Sequence, residues 1–503
     1  MTSRAPSDLA AAVANAAREA TRNGETQWAG LRLELPHCDS LAAFEALNSG
    51  DGFEASDRFY WERPAEGLSF VGHGCVAALE GKGAERFAQS SEGARKIFAS
   101  LHIAGKPAAP EAGPFLAGGF AFSSASTPAA HWREFPNARL VLPRLTLATV
   151  DGRTWCTILR AHRPGDDVDQ TSAGLRRHLE QLEPWLAGRV ALCGQRSRRT
   201  GWTSSAAYRV VGDRSHEEYC AQVSSALRSI ADGAFEKVVL ARSVSLVRLA
   251  REARGDDHQD DLRTGGRGDD PNEGFNLRAL LDSLRRSHPS CAIFAIGRAS
   301  STFVGATPEC LVRLRGRHLE TASLAGSAPR GRSPDEDSQL GRELLESKKE
   351  QAEHAVVVRA LRAALDPHCE TLEIPESPHL MRLQDIQHLE TPISGTVLED
   401  VSILDLLAAV HPTPAVAGEP REPALAWLAE HEDLDRGWYA GPVGFADSGG
   451  GGEFFAALRS SLLTGDEARL FAGAGIVEGS QPERELLETR LKLQTMLSPL
   501  FEI

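Results

Sequence analysis

The sequence predicts an α+β protein with large antiparallel β-sheets flanked by helices, and three observations carry that expectation. Residues 29–160 are filled with short alternating segments between turn residues, among them LRLELP, RFYWERP, FVGHGCVAALEG and PFLAGGFAFS. RLTLATVDGRTWCTILRA sets Asp151-Gly152 between two apolar runs, the pattern of a tight hairpin. In the second half, strands again cluster and helical stretches come in blocks, unlike the one-for-one alternation of a doubly wound fold.

The elements follow in order. The opening MTSRAPSDLAAAVANAAREATRNG is alanine-rich and helix-prone, but Asp8, Arg18 and Glu19 interrupt it and no apolar core follows a basic start, so it does not read as a signal peptide. After the β-rich stretch, residues 170–190 read as a helix and the basic GQRSRRTGWTSS as a connection. A boundary near 200 separates a mostly β region, 1–200, from a second region, 201–503. Within the latter, 215–232 is helical, GAFEKVVLARSVSL is a strand, and 251–274 has almost no apolar content and reads as a solvated, disordered surface insertion. NLRALLDSLRRSH is then a helix, CAIFAIG and STFVGATPECLVRLRGRHLETASLAG are strands, and 337–366 is one long helix ended by Pro367.

Composition narrows the function. The 503 residues are 42% hydrophobic and 25% charged, ordinary for a globular chain with a large core. A formal net charge of -14 leaves no basic footprint for nucleic acid or an anionic membrane. An anionic substrate would therefore need positive charge concentrated locally or borrowed from a metal. The eight cysteines are scattered without a C-x-x-C pair, as in reduced cytosolic proteins. No window approaches the roughly 18 consecutive apolar residues of a membrane helix, and a cytoplasmic protein, monomeric or weakly dimeric, is expected.

Several segments offer chemistry. Along GAFEKVVLARSVSL, Lys237, Val239, Ala241 and Ser243 share one strand face while Val238, Leu240 and Arg242 share the other. If the strand is buried, one of its two cations points inward; alternatively Lys237 snorkels to water from the strand end. In GSQPERELLETRLKLQTMLSPL, Ser480 is the expected N-cap, with Pro482 in the first turn and Glu483 at capping-box spacing. Leu486, Leu493 and Leu497 form a packing stripe there, and Glu485, Glu488 and Lys492 a separate one. LLESKKEQAEHAVVVRAL repeats the device with Glu350 and Glu353, Glu346 on the same side and His354 beside them. Such acidic stripes are either solvated faces or, from two helices together, ligands for a hard divalent cation such as Mg²⁺, held partly through water.

Other segments are less specific. In FAGAGIVEGS, Gly473 and Gly475 lie between a strand and the C-terminal helix, where amides at a glycine turn can meet an anion, although Glu478 replaces the last glycine of a dinucleotide fingerprint. GWYAGPVGFADSGGGGEFFAALRSSL reads as a hairpin with Tyr439 on one strand and Arg459 near the end of the other, where its fork can clamp a carboxylate. Glu309 follows Thr307-Pro308 in GATPECLVRL, where a strand begins.

Taken together, FEKVVLARS, GATPECLV, TASLAGSAPRG, ESKKEQAEH, IQHLETPISG, HPTPAVAGEP, RGWYAGPVGF, EFFAALRSSLL and FAGAGIVEGSQPERELLETRLKL resemble, in order, the chorismate-utilising enzymes: the isochorismate, salicylate, anthranilate and aminodeoxychorismate synthases. They span roughly residues 205–500, and FYWERP, GGFAFS and LVLPRLTLA in the first half look like weaker signatures of menaquinone-type isochorismate synthases. The resemblance implies an anthranilate synthase component I-like fold and Mg²⁺ on acidic helices, with Glu353 and Glu488 as direct ligands and Glu350 and Glu485 nearby or bridged by water. Tyr439, Arg459, Gly473, Gly475 and Lys492 would hold the enolpyruvyl carboxylate and frame the site, with His388 lining it and Ser327 standing where many relatives have threonine.

Within that family, lysine at position 237 marks the members that add water, and ammonia-using members commonly carry glutamine there. The resemblance therefore implies Lys237 as general base toward water attacking C2 of chorismate, and Glu309 as general acid toward the departing C4 hydroxyl. Ala325 in SLAGS stands where some aminodeoxychorismate synthases resemble P-I-K-G-T with a nucleophilic lysine, which argues against covalent amination. The implied activity is an isochorismate synthase, an isomerase feeding menaquinone or siderophore biosynthesis. The alternatives are a salicylate synthase, which goes on to expel pyruvate, and a non-catalytic chorismate-binding paralogue.

Overall fold

Asp151-Gly152 makes the expected turn: Leu145–Val150 pairs antiparallel with Arg153–His162 across two residues at φ 50° and 71°, the left-handed geometry that matches the twist of the flanking strands. The computed structural model describes residues 5–49, 57–124, 129–184, 207–249, 275–384 and 386–501. The 251–274 insertion and the 194–205 connection fall outside these residues.

The described strands form one 13-stranded and one 10-stranded sheet. Pairing is antiparallel except where Gln27–Leu35 meets Leu101–Gly105. In the larger sheet, Tyr208–Gly212, Lys237–Arg248, Glu467–Val477, Ser460–Thr464, Ser301–Thr307 and Ala292–Arg298 lie side by side and continue into Asp57–Arg63 from the first half. In the smaller one, Gly452–Ala456 and Pro442–Asp447 continue into Phe115–Phe120. Residue 200 thus marks a change of sequence pattern, while both sheets draw strands from either side of it.

Alternation along these strands fills the space between the sheets. Trp61 from the larger sheet meets Phe445 and Phe455 from the smaller at ring separations of 6.1 and 5.6 Å, and its indole N–H donates to the buried Glu453 carboxylate. A second apolar cluster joins Val244, Ile293 and Leu470 of the larger sheet to Leu493, Met496 and Leu500 of the helix Pro482–Phe501. This fastens the C-terminal helix against the sheet that carries Lys237. No helix among the described residues is long and apolar enough to cross a membrane.

Four local expectations are corrected. The single helix over 337–366 is two, Pro334–Glu346 and Lys348–Leu365, broken at Ser347. Ser347 takes an extended backbone and its hydroxyl accepts from the Glu350 N–H, so it caps a new helix. The break takes Glu346 off the face of Glu350 and Glu353 and leaves it exposed. Ser480 does not form the capping box with Glu483: its hydroxyl turns back to the Val477 N–H at 3.2 Å, and helical bonding starts from the Gln481 carbonyl to the Glu485 N–H. Gly473 and Gly475 are not in a turn but inside the strand Glu467–Val477, paired with Ala241 and Val239. Tyr439 and Arg459 lie just outside the hairpin strands Pro442–Asp447 and Gly452–Ala456, and Arg459 takes φ 46°.

Candidate active site

Both cations of the lysine strand turn out to be buried, on opposite faces: Lys237 is 1% exposed and Arg242 4%. Lys237 faces a cleft of about 770 Å³, whose lining also includes Glu309, Ser327, Glu353, His388, Tyr439, Arg459, Gly473, Gly475, Glu488 and Lys492. Residues read from separate motifs are thereby brought to one place. Glu350 and Glu485 stand just behind this lining, both within 3.3 Å of Lys349 Nζ.

The glycine strand leaves room for this convergence. A Cβ on Gly475 would come within 2.4 Å of Glu353 Oε1 and 3.2 Å of Lys237 Cε, and one on Gly473 within 3.2 Å of the Tyr439 hydroxyl. The two glycines therefore serve close approach of side chains rather than a turn.

On one wall every acidic group meets a lysine. Lys237 Nζ lies 2.8 Å from Glu353 Oε1, Lys492 Nζ lies 2.7 Å from Glu488 Oε1, and Lys349 bridges Glu350 and Glu485. Burial works to raise the Glu353 carboxyl, but the charges of Lys237, Lys349 and Lys492 outweigh it and hold the group below its usual range. Glu350 and Glu485 are instead pushed up, by burial first and then by neighbouring carboxylates. Among the described residues no three acidic, histidine or cysteine side chains already converge as a cation cage.

Across the cleft Glu309 has a different environment. It is buried, its carboxylate accepts from the Thr413 hydroxyl at 3.5 Å, and burial pushes its pKa to about 7 despite the pull of Lys237, Lys492 and Arg459. Beside it, Arg459 Nη2 lies 2.9 Å from His388 Nε2, and His388 Nδ1 lies 3.0 Å from Ser327 Oγ. A guanidinium only donates, so Nε2 accepts and the N–H sits on Nδ1, directed at Ser327. Burial, with Arg459 and Lys492 adding to it, keeps this imidazole neutral by holding its pKa well below the usual value.

Some residues at or beside the cleft carry no individual sequence signal. Arg436, in RGWYAGPVGF, lines it, and Thr413, in HPTPAVAGEP, touches it through Glu309; both segments are quoted for their resemblance alone. Lys349 stands next to Glu350 in ESKKEQAEH and reaches both Glu350 and Glu485. Only proximity in space marks these residues.

A family model described as chorismate binding enzyme matches residues 13–255 and 270–501 of the chain. The chain belongs to the chorismate-binding enzyme family. A salicylate biosynthesis isochorismate synthase of Pseudomonas aeruginosa is 38% identical to it over 474 residues, covering 94% of this chain and 90% of its own. The isochorismate synthase MenF of Bacillus subtilis is 32% identical over 467 residues, 92% of each chain. The solved structure of the menaquinone-specific isochorismate synthase MenF of Escherichia coli superposes with a TM-score of 0.72 over 98% of this chain and 100% of its own, at 24% identity, a likeness of fold. This chorismate-binding enzyme thus has the antiparallel α+β architecture expected from its sequence.

Proposed function

We propose that the protein is an isochorismate synthase, adding water at C2 of chorismate with loss of the C4 hydroxyl. The observation that carries the reading is a buried carboxyl with a pKa of about 7, Glu309, in the same cleft as a fully buried lysine amine, Lys237. A carboxyl of that pKa still holds its proton near neutrality and can deliver it to a departing hydroxyl. Lys237 would take the proton of the attacking water. Glu353 Oε1 lies 2.8 Å from Lys237 Nζ and takes one of its three hydrogen-bonding positions. The shift of the double bonds then yields isochorismate.

Chorismate is a dianion, and positive groups concentrate here within an acidic chain. Arg459, aimed by the neutral His388, would take one carboxylate as a fork, with Lys492 and Tyr439 framing it. Mg²⁺ is part of the proposal: Glu353 and Glu488 would hold it, Glu350 and Glu485 standing by or acting through water, and it would supply charge for the ring carboxylate. The mutual repulsion of Glu350, Glu353, Glu485 and Glu488 supports this, because crowded carboxylate oxygens suit a hard divalent ion. Seven free cysteines among the described residues fit a cytoplasmic setting. The product serves menaquinone or siderophore biosynthesis in this reading.

The test is to incubate the purified protein with chorismate and Mg²⁺ without a coupling enzyme and separate the products by chromatography. Isochorismate in equilibrium with chorismate is the expected result. Stoichiometric salicylate and pyruvate would make it a lyase instead, and no turnover would leave a protein that only binds chorismate.

A further inference from the structure

The lysine strand is held on its outer side in an unusual way. Lys237 and Val238 pair with the short strand Gly418–Glu419, and Val244 onward pairs with Tyr208–Gly212. Between these two partners no strand among the described residues covers Val239 to Ala241. A buried ion pair takes the place of one. Arg436 and Glu432, each 3% exposed, form a fork with Nε and Nη2 of the arginine both 2.5 Å from the carboxylate oxygens. Arg436 Nη2 also donates to the Val239 carbonyl at 2.7 Å, and Glu432 Oε2 accepts from the Ala241 N–H at 2.8 Å.

The same pair reaches the facing loop. Arg436 Nη1 donates to the Val416 carbonyl at 2.7 Å, and the Val239 N–H donates to the Ala417 carbonyl at 2.7 Å. The guanidinium lies 4.2 Å from the centre of the Phe122 ring, and the Arg436 carbonyl accepts from the Tyr439 N–H at 2.9 Å. The donors of the fork are thus directed at fixed backbone and carboxylate acceptors, with the arginine charge matched by Glu432. Although Arg436 lines the cleft, four of its five N–H donors bond within the protein.

We infer that Glu432 and Arg436 are positioning residues for Lys237: they replace the missing edge strand and fix where the lysine enters the cleft. The inference rests on the reading of Lys237 as the base. A buried pair is not by itself a source of stability, since an apolar pair of equal volume often does as well; what this pair adds is direction, because its charges bond the backbone two and four residues beyond Lys237. Placement matters to the chemistry, as a displacement of about 1 Å can cost on the order of 100-fold in rate.

The test compares steady-state kinetics of Arg436→Lys with wild type, alongside amide exchange of the 237–243 segment. Lysine keeps the charge toward Glu432 but loses the planar fork. A folded variant with kcat reduced about 10- to 100-fold, KM for chorismate changed by less than about threefold, and faster exchange over 237–243 is expected. Glu432→Asp, which keeps the charge and withdraws it by one methylene, carries the same test should the first variant fail to fold. Wild-type kcat in either folded variant overturns the inference, and so does a raised KM with kcat unchanged, which would make Arg436 a substrate ligand. Lys237→Ala in the same assay separates the two failures: if it stays active the base assignment falls, whereas a dead Lys237→Ala beside a fully active Arg436→Lys removes only the positioning role.

Discussion

The two walls of the cleft treat buried carboxyls in opposite ways. Glu353 and Glu309 are both nearly excluded from solvent, 9% and 6% exposed, and burial pushes both toward the protonated form. For Glu353 a lysine at 2.8 Å reverses that push and the group ionises readily. For Glu309 the same lysines act from farther away, the hydrogen-bond partner is a neutral hydroxyl, and desolvation wins. One residue type thus becomes a charge holder on one wall and a proton holder on the other, and the placement of lysines makes the difference.

The largest test of this contrast removes the lysine that pairs with Glu353 on the charged wall. Lys237→Ala is expected to lower turnover by up to about 10⁴-fold, measured by chromatographic product formation, while the variant still unfolds cooperatively. Activity near wild type would refute its role. It also strands Glu353, so some loss of stability is expected to accompany the loss of rate.

Glu309→Gln probes the other wall and is expected to lose about 10²- to 10⁴-fold in turnover. Stability should move the opposite way. The folded pKa of Glu309 lies above its unfolded value, so the folded state binds the proton more tightly. Below the unfolded pKa of 4.5 both states are protonated; as pH rises from there to about 7 the native protein loses stability, roughly 3 kcal/mol in full. Glutamine carries no such penalty. Urea unfolding at pH 8.5 should therefore find the variant more stable by about that amount, with no difference below pH 4.5. Equal midpoints at pH 8.5 would mean that Glu309 is not a buried proton holder.

Smaller effects follow on the charged wall. Glu353→Gln or Glu488→Gln should raise the Mg²⁺ concentration for half-maximal rate by about tenfold or more, read from a metal titration of initial rates; an unchanged titration would remove them as ligands. The mildest test leaves the protein intact. The kcat/KM of wild type should decline as pH rises through about 7, as Glu309 gives up its proton, approaching tenfold per pH unit beyond. A flat alkaline limb to pH 9 would assign the acid elsewhere.

Much of the fold was legible because its signals are local. Period-two strands, the Asp151-Gly152 turn and the apolar stripe on Pro482–Phe501 each follow from neighbouring residues alone. The helix break at Ser347 leaves no clear local signal, because the acidic and apolar pattern runs through it without a proline or glycine, and serine caps as readily as it continues. The glycines at 473 and 475 read as a turn in the sequence because glycine signals both turns and close approach. Their strand setting became visible only through the pairing with Val239 and Ala241. For the candidate site, ordered motifs mark most of the lining, whereas Arg436 within it, and Thr413 and Lys349 beside it, carry no local mark.

By itself the sequence determined the antiparallel α+β class, the family, and the residues able to hold or move charge, because strand period, turn chemistry and motif order are properties of the chain. Only the tertiary structure decided which of those charges meet. It set Lys237 against Glu353, left Glu309 with a hydroxyl, and put Glu432 and Arg436 in place of a missing strand. The reason is physical: desolvation depends on burial and Coulomb energy on distance through space, and neither quantity is carried by spacing along the chain.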